Sequence, residues 1–268
     1  MITHDLWMPA GKGSSTLSFT SSMIAMADHW VENHKRDSWR RQAKSSGYRA
    51  RSAFKLKQIQ ERHTILRTGD VVFDVGCHPG GWSQVALEMI GSSGDVVGVD
   101  LQATQSLEGA TFLTGDIRHE TIQNQILEIL GERKFNAILS DISPDITGNW
   151  DIDQSVALEL VAMVFDFAIP HLGKGGCFVT KLFQGTGVEE LISEIEKHFA
   201  SVRRFSPDAS RNSSSEVYLI CKHHTPWKSP GKSMSERFHN KMNALLNPEV
   251  EEIQPVKTSM RVRKKKSD

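Results

Sequence analysis

Residues 71–84 read VVFDVGCHPGGWSQ, and this stretch decides the fold. Its opening, residues 71–76, is a run of β-branched and aromatic side chains that ends in glycine, as a buried strand does where it enters a tight turn. Residues 82–90 have the composition of a helix. A strand followed by a turn and a helix is the first part of a βαβ unit, so the stretch predicts the start of an open, mainly parallel sheet.

The same alternation of strands and helices continues downstream. Six further strands are predicted, at residues 95–100, 110–116, 136–141, 176–183, 202–205 and 216–221. Helices are predicted between them at residues 119–130, 155–169 and 188–199, and before the sheet at residues 52–61. Ser52 is the predicted N-cap of that first helix. Because the loop between the last two strands is too short for a helix, the predicted fold class is α/β and Rossmann-like, with a mostly parallel seven-stranded sheet whose last strand runs antiparallel.

The formal net charge is zero, but the charges are unevenly distributed along the chain. Residues 1–62 and residues 222–268 each hold eleven Lys and Arg against five Asp and Glu, while residues 63–221 hold ten against 22. An acidic central part with two basic ends indicates a protein whose ends bind phosphate groups. We expect a partly disordered N-terminal extension (1–36), a folded domain that starts with a basic segment (37–222), and a basic, largely flexible tail (223–268). The tail has no core-building pattern apart from a short helix at residues 235–246.

Composition argues against several classes of protein. No run approaches the roughly 18 consecutive apolar residues of a membrane span, so no membrane association is predicted. The three cysteines, at positions 77, 177 and 221, fit neither a zinc site nor a disulfide framework. They are typical of a reducing compartment. We therefore expect a cytoplasmic protein, a monomer, without a metal ion.

Four of the predicted strands end at or near an acidic residue: Asp74, Asp100, Asp116 and Asp141. In an open parallel sheet, ligands bind at the carboxyl ends of the strands. A carboxylate at the end of the second strand can accept both hydroxyls of an adenosine ribose, and Asp116 after the third strand suits an adenine amino group. An adenosine-containing cofactor is therefore predicted at this edge, which leaves NAD, FAD and S-adenosylmethionine open.

The first turn discriminates between these cofactors. Residues 76–81 read GCHPGG, which is not the G-x-G-x-x-G sequence that cradles a pyrophosphate, and Pro79 removes an amide donor from the loop. The Lys-Ser or Lys-Thr pair of a P-loop does not follow. The turn argues against a nucleotide-dependent dehydrogenase and favours a cofactor without a pyrophosphate.

Five segments, in order along the chain, carry a family resemblance. They are residues 47–56 (GYRARSAFKL), 74–84, 140–141 (SD), 179–185 (VTKLFQG) and 215–218 (SEVY). Between about residues 37 and 221 the chain resembles the FtsJ/RrmJ family of RNA ribose-2′-O-methyltransferases. The resemblance implies the Rossmann-like fold of methyltransferases that use S-adenosylmethionine, with S-adenosyl-L-methionine as cofactor and RNA as substrate.

The resemblance also implies functional residues. Carried over motif by motif, the family's catalytic tetrad falls on Lys55, Asp141, Lys181 and Glu216. By the same route, the expected cofactor contacts are Gly80, Trp82, Asp100, Asp116 and Asp141. Two stretches depart from the family: residues 77–78 read CH where many relatives have two alanines, and residues 142–145 read ISPD where many bacterial members have Ala-Pro-Asn. Neither departure touches the tetrad.

Methyl transfer to a ribose hydroxyl calls for a base, because a protonated hydroxyl is a poor nucleophile. Lys181 is the candidate base, since a lysine in the middle of an apolar central strand is costly to bury without a purpose. Burial and a second nearby cation would help Lys181 to release its own proton, and Lys55 is expected to be that cation. Asp141 is expected to orient Lys181, while Lys55 and Glu216 position the ribose.

The basic flanks favour RNA over a small molecule as substrate. Seven basic residues lie shortly before Lys55: Lys35, Arg36, Arg40, Arg41, Lys44, Arg49 and Arg51. Trp39 and Tyr48 lie among them, and cations with interleaved aromatic rings are typical of contacts with phosphates and stacked bases. The leading prediction is methylation of a uridine of 23S ribosomal RNA in the large subunit. The alternatives are a 2′-O-methyltransferase of the tRNA anticodon loop and a catalytically silent RNA-binding factor of ribosome assembly, against which the intact tetrad argues.

Overall fold

The computed structural model describes residues 38–144, 147–210, 216–226 and 233–236, together with Phe238 and Asn240. The predicted N-terminal extension at residues 1–36 lies outside the described residues. Most of the predicted tail, including most of the short helix at residues 235–246, also lies outside them.

In the described part of the chain, seven strands form one sheet. They are β1 (Val71–Val75), β2 (Asp95–Asp100), β3 (Ala110–Thr114), β4 (Phe135–Ser140), β5 (Leu172–Phe183), β6 (Phe199–Phe205) and β7 (Glu216–His224). Their order across the sheet is β3-β2-β1-β4-β5-β7-β6. Strands β1 to β5 are parallel, and β7 runs antiparallel to both of its neighbours, β5 and β6. The predicted fold class, including the antiparallel last strand, is confirmed.

Helices cover both faces of the sheet. They are α1 (Ala53–His63), α2 (Gly81–Ile90), α3 (Glu120–Leu130), α4 (Trp150–Ala168) and α5 (Val188–Glu196), and residues 38–45 are also helical. Successive residues of a strand point to opposite faces, so Val72 packs with α1 and α2 whereas Phe73 packs with α3, α4 and α5. Among the described residues, no helix is both long and apolar enough to cross a bilayer.

The chain after β7 returns to the core at Met234, just before the predicted short helix at residues 235–246, and at Phe238 within it. Met234 and Phe238 are each 4% exposed and pack in the core layer that contains α4. Asp166 of α4 fastens this segment, because its carboxylate accepts hydrogen bonds from Ser233 Oγ and from the amides of Met234 and Ser235. The folded unit therefore includes residues that the sequence pattern assigned to a flexible tail.

Ser52 precedes α1 as predicted, but its side chain makes no capping hydrogen bond. Its backbone lies in the right-handed helical region, whereas an N-cap residue holds non-helical backbone from which its side chain reaches the first turn. The Ser52 carbonyl also accepts the indole N–H of Trp82 at 2.8 Å. The predicted N-cap position is confirmed, but without a capping hydrogen bond from the side chain, and the Ser52 carbonyl joins α1 to α2.

Candidate active site

A cavity of about 600 Å³ opens at the carboxyl edge of the sheet. It lies where the strand order reverses between β1 and β4, the position at which open α/β sheets bind ligands. Asp100 and Asp141 come from the ends of β2 and β4, and Asp116 comes from the segment after β3. These three predicted cofactor contacts all line the cavity, and apolar side chains of α4 form the opposite wall.

Asp100 is held in a fixed orientation by backbone amides. The amide of His78 donates to Asp100 Oδ2 at 2.9 Å, and the amide of Gln102 donates to Oδ1 at 2.8 Å. Each carboxylate oxygen has a second lone pair, so both oxygens can still accept a hydroxyl from the cavity. The carboxylate is therefore pre-oriented for two neighbouring hydroxyls of a ribose.

Asp116 is already paired with a neighbouring side chain. The guanidinium of Arg118 binds its two carboxylate oxygens, with Nε–Oδ1 at 3.0 Å and Nη2–Oδ2 at 2.5 Å. This pair holds the pKa of Asp116 below its usual value. Arg118 also lines the cavity, so a ligand amino group that reached Asp116 would share its carboxylate with the guanidinium.

Asp74, near the end of β1, is fully buried under the same edge of the sheet. Ser83 Oγ donates to its Oδ2 at 2.6 Å, while Oδ1 has no hydrogen-bond partner among the described residues. Burial raises the pKa of Asp74 to about 7, and the negative charges of Asp141 and Asp100 act in the same direction. Three carboxyl groups close enough to interact make this edge suited to a cationic cofactor and unsuited to a pyrophosphate.

Gly80 and Trp82, also predicted as cofactor contacts, do not line the cavity. Gly80 has a φ of +107°, and a Cβ at this position would come within 2.8 Å of Arg49 Nη1. Trp82 is 3% exposed, and its ring centroid lies 5.6 Å from that of Tyr218. A direct cofactor contact by either of them stays a prediction.

The four residues of the predicted tetrad meet in one hydrogen-bonded network. Lys181 Nζ donates to Asp141 Oδ1 at 3.1 Å and to the Asp141 carbonyl at 2.7 Å. Lys55 Nζ donates to Glu216 Oε1 at 2.5 Å. Both lysines are only 7% exposed, and a buried ammonium group persists only with such partners. The network therefore contains two lysine–carboxylate pairs. The Lys181–Asp141 pair joins β5 to the end of β4, and the Lys55–Glu216 pair joins α1 to β7.

Tyr218 links the two pairs, although no role for it was predicted from the sequence. Its hydroxyl donates to Asp141 Oδ1 at 2.7 Å and accepts from Lys55 Nζ at 3.1 Å. The side chain is fully buried, and burial followed by the charges of Asp141 and Glu216 raises its pKa well above the usual value, so the phenol keeps its proton. The signal for Tyr218 was its position two residues after Glu216 on a strand, which places both side chains on one face.

This arrangement differs from the expected one in a specific way. Lys55 was expected to stand beside Lys181 as a second cation. In the structure each lysine has its own carboxylate, and the Tyr218 hydroxyl lies between the two pairs. The charge of Lys55 is therefore largely balanced by Glu216 before it can act on Lys181.

Arg49 has a different role from the phosphate contact that its sequence position suggested. Its guanidinium donates to three backbone carbonyls, those of Pro79 at 3.3 Å, Gln105 at 2.6 Å and Ser106 at 2.9 Å. Its own amide donates to Gln84 Oε1 at 2.8 Å. Arg49 thus ties the segment before α1 to the turn after β1 and to the loop between β2 and β3, which form one side of the cavity.

Trp39 and Tyr48 also pack inward instead of standing free for bases. Both rings contact Phe54 of α1, with centroids at 5.1 Å for Trp39 and 5.6 Å for Tyr48. The Tyr48 hydroxyl donates to Glu88 Oε2 at 2.7 Å. Of the basic residues among them, Arg40, Arg41 and Lys44 are exposed. The helical segment at residues 38–45 therefore presents cations to solvent while its aromatic neighbours fix it to the domain.

Comparison with known proteins gives the family. A model of the FtsJ-like methyltransferases matches residues 48–224, about two thirds of the chain. The chain belongs to the FtsJ-like methyltransferase family. The matched residues include the whole sheet and every member of the lysine–carboxylate network, so the resemblance drawn from the sequence motifs is confirmed.

Relatives that share this family extend over most of the chain. The ribosomal RNA large subunit methyltransferase E of Methanocaldococcus jannaschii is 37% identical over 236 residues, which are 85% of this chain and 96% of the relative. The protein of the same name from Halorubrum lacusprofundi is 43% identical over 70% of this chain and 70% of its own length. The one from Neisseria meningitidis is 37% identical over 72% of this chain and 94% of its own length. A Plasmodium falciparum crystal structure, described as a ribosomal RNA methyltransferase, is 27% identical with a TM-score of 0.61, covering 66% of this chain and 98% of that structure.

Proposed function

We propose that the protein transfers a methyl group from S-adenosyl-L-methionine to a ribose 2′-hydroxyl of large-subunit ribosomal RNA, at a uridine of 23S rRNA. The observation that carries the proposal is the position of Asp141, which belongs both to the cavity wall and to the buried network around Lys181. A proton acceptor and a cofactor cavity that share one residue suit a transfer between two bound molecules. The names of the relatives support ribosomal RNA as the substrate.

The residues present fit this cofactor. Asp100 would hold the ribose hydroxyls with its pre-oriented carboxylate, and Asp116 would accept the adenine amino group beside Arg118. Asp100 and Asp141 provide negative potential for a cationic group, and Asp74 adds to it only where it is ionised, above about pH 7. The chemistry that S-adenosylmethionine brings when bound is an electrophilic methyl group on a positively charged sulfur.

Lys181 is the residue that we assign to the proton. Its ammonium nitrogen has three hydrogen-bonding positions, and among the described residues two of them are directed at Asp141. The third position is available to the ribose 2′-hydroxyl. Deprotonated Lys181 takes the hydroxyl proton as the oxygen is methylated, and Asp141 then holds the resulting ammonium group.

Lys55, Glu216 and Tyr218 keep this geometry fixed. The Lys55–Glu216 pair anchors one side of the Tyr218 hydroxyl, which in turn directs its proton at Asp141. Asp141 is therefore restrained from two directions, by Tyr218 and by Lys181. Restraint of this kind supplies much of a transfer reaction's rate, because the reacting groups are aligned before the chemical step.

The test is the replacement Lys181→Ala, assayed by single-turnover methyl transfer at saturating RNA and cofactor. Loss of the base should lower the rate by about 10²–10⁴-fold, and Lys181→Arg should restore little, since a guanidinium does not deprotonate near neutral pH. Lys174→Ala on the exposed end of the same strand is the matched control and should keep the wild-type rate. Wild-type turnover in Lys181→Ala, with cofactor binding intact, would show that the base is assigned wrongly.

The substrate is tested separately by mapping. Unmodified large-subunit ribosomal RNA and bulk tRNA are incubated with the enzyme and radiolabelled S-adenosylmethionine, and the methylated nucleotide is located. A single 2′-O-methyluridine in the ribosomal RNA is the expected result. Label confined to a tRNA anticodon loop would replace the proposed substrate, and no label in either RNA would favour a silent assembly factor.

A further inference from the structure

Trp150, the first residue of α4, exposes 57% of its surface. Among the described residues, only one other large apolar side chain is exposed to this degree: Leu101, at 69%. Leu101 lines the cofactor cavity, so a bound cofactor accounts for its exposure. Trp150 is not among the residues that line the cavity, and nothing in the cofactor site accounts for an exposed indole there.

The position of Trp150 is defined by Gln154, one helical turn further along α4. Residues four apart lie on the same face of a helix, and Gln154 is 5% exposed, with its Nε2 donating to the carbonyl of Phe183 at 3.0 Å. Phe183 is two residues beyond Lys181 on β5. Trp150 therefore lies on the face of α4 that is directed at β5, the catalytic strand that carries Lys181, but one turn beyond the point where the helix contacts that strand.

The loop after β5 keeps α4 and the catalytic strand close together. A Cβ on Gly185 would come within 2.6 Å of the amide carbon of Gln154, so a larger residue there would have to displace the Gln154 side chain and its hydrogen bond to Phe183. The hydrogen bond and this close approach together hold the start of α4 near the end of β5.

The backbone around Trp150 is ordered by two polar side chains. Asn149 Oδ1 accepts from the amides of Asp151 and Ile152, and the carboxylate of Asp153 accepts from the amides of Thr147 and Gly148. An aromatic ring on a pre-ordered helical turn binds a flat ligand with little further loss of conformational freedom.

We propose that Trp150 is a stacking platform for a base of the RNA substrate, next to the nucleotide whose ribose enters the active site. The inference rests on the proposed function. Single-stranded RNA presents unstacked bases that stack on exposed aromatic side chains. Such stacking tolerates any sequence, because every base has a π-face. Trp39 and Tyr48 are less suited to this part, because their rings pack against Phe54 and both side chains are only partly exposed.

The test compares three variants on two probes. Binding of a fluorescent single-stranded oligouridylate, and of an oligomer with the same backbone but without bases, is measured by anisotropy in the presence of S-adenosylhomocysteine. Trp150→Ala should bind the oligouridylate about 10- to 100-fold more weakly. Trp150→Leu, which keeps apolar bulk without a ring, should lose nearly as much, and Trp150→Phe should retain most of the affinity. The oligomer without bases should bind all four proteins equally.

Two results would overturn the proposal. One is wild-type affinity for the oligouridylate in Trp150→Leu, since this would make apolar contact sufficient. The other is an equal loss on both probes in Trp150→Ala, since this would place the effect on the backbone or on the fold. Calorimetry with S-adenosylhomocysteine should give unchanged affinity in all three variants. The wild-type protein could fail to methylate ribosomal RNA while Trp150→Ala still loses affinity for the oligouridylate and not for the oligomer without bases. This result would refute the proposed function and support the stacking site.

Discussion

Replacement of Arg49 by lysine separates two roles that the sequence alone does not distinguish. The guanidinium spans three carbonyls, at Pro79, Gln105 and Ser106, and a lysine with one nitrogen on the same backbone can reach about one of them. Two hydrogen bonds from a charged donor are then lost. Such bonds contribute about 1.5–3 kcal/mol each when buried. Because Arg49 is half-exposed and water can replace part of the loss, we take about 1 kcal/mol for each, or about 2 kcal/mol in total.

The loops that Arg49 joins are the loops that orient Asp100 through the amides of His78 and Gln102. Loosening them should therefore weaken S-adenosylmethionine binding by up to about 30-fold, which corresponds to about 2 kcal/mol. Calorimetry without RNA measures this directly. Arg40→Lys is the matched control, because Arg40 is exposed on the helical segment at residues 38–45, and its cofactor affinity should equal that of the wild type.

The reasoning is refuted if Arg49→Lys binds the cofactor as the wild type does. A fall of about one in the slope of log affinity for RNA against log salt in Arg49→Gln, which removes the charge, would then identify Arg49 as a phosphate contact. The expected pattern is the reverse, with the salt slope altered by Arg40→Gln and left unchanged by Arg49→Gln.

Three further predictions follow from single contacts. Asp100→Ala should weaken S-adenosylmethionine binding by roughly 3 kcal/mol, since two hydrogen bonds to a carboxylate are lost; calorimetry on a folded variant checks this, and unchanged affinity would exclude Asp100 from the site. Asp166→Ala should lower the free energy of unfolding by about 1–2 kcal/mol, because Ser233, Met234 and Ser235 lose their acceptor; urea titration against Asp151→Ala as control measures the difference. Folded Asp74 keeps its proton up to about pH 7, whereas an ordinary aspartate loses it near 3.8, so its contribution to the free energy of unfolding should fall as pH rises between these values. Asp74→Asn should remove that fall, and parallel pH profiles of the two proteins would contradict the assignment.

The elements of the fold were predictable from local pattern because the sheet is buried on both faces. Parallel strands covered by helices read as short apolar runs, and the alternation of such runs with amphipathic segments placed every strand of the sheet within a few residues. The antiparallel direction of β7 followed from loop length alone. Local pattern also placed Asp100, Asp116 and Asp141 at one edge, because the ends of parallel strands share an edge by construction.

What the sequence could not supply was the choice of partner for each side chain. Nothing local distinguishes the guanidinium of Arg49, which binds backbone carbonyls, from that of Arg40, which is exposed. Trp82 was assigned to the cofactor by the family motif, and nothing local indicates that its ring packs on Tyr218. Met234 and Phe238 stand in polar, proline-containing sequence where only a short helix at residues 235–246 was predicted, and packing in the core layer of α4 buries them.

The place of β7 in the sheet has a consequence for how the protein is made. β7 comes last along the chain among the described strands, but it lies between β5 and β6 and supplies Glu216 and Tyr218. A ribosome delivers these residues after every other strand has emerged, so a nascent chain has an open edge on β5 and no partner for Lys55. Newly made protein therefore becomes able to modify RNA only when its final strand is inserted, and a product truncated before residue 216 should be both inactive and prone to aggregate through that edge.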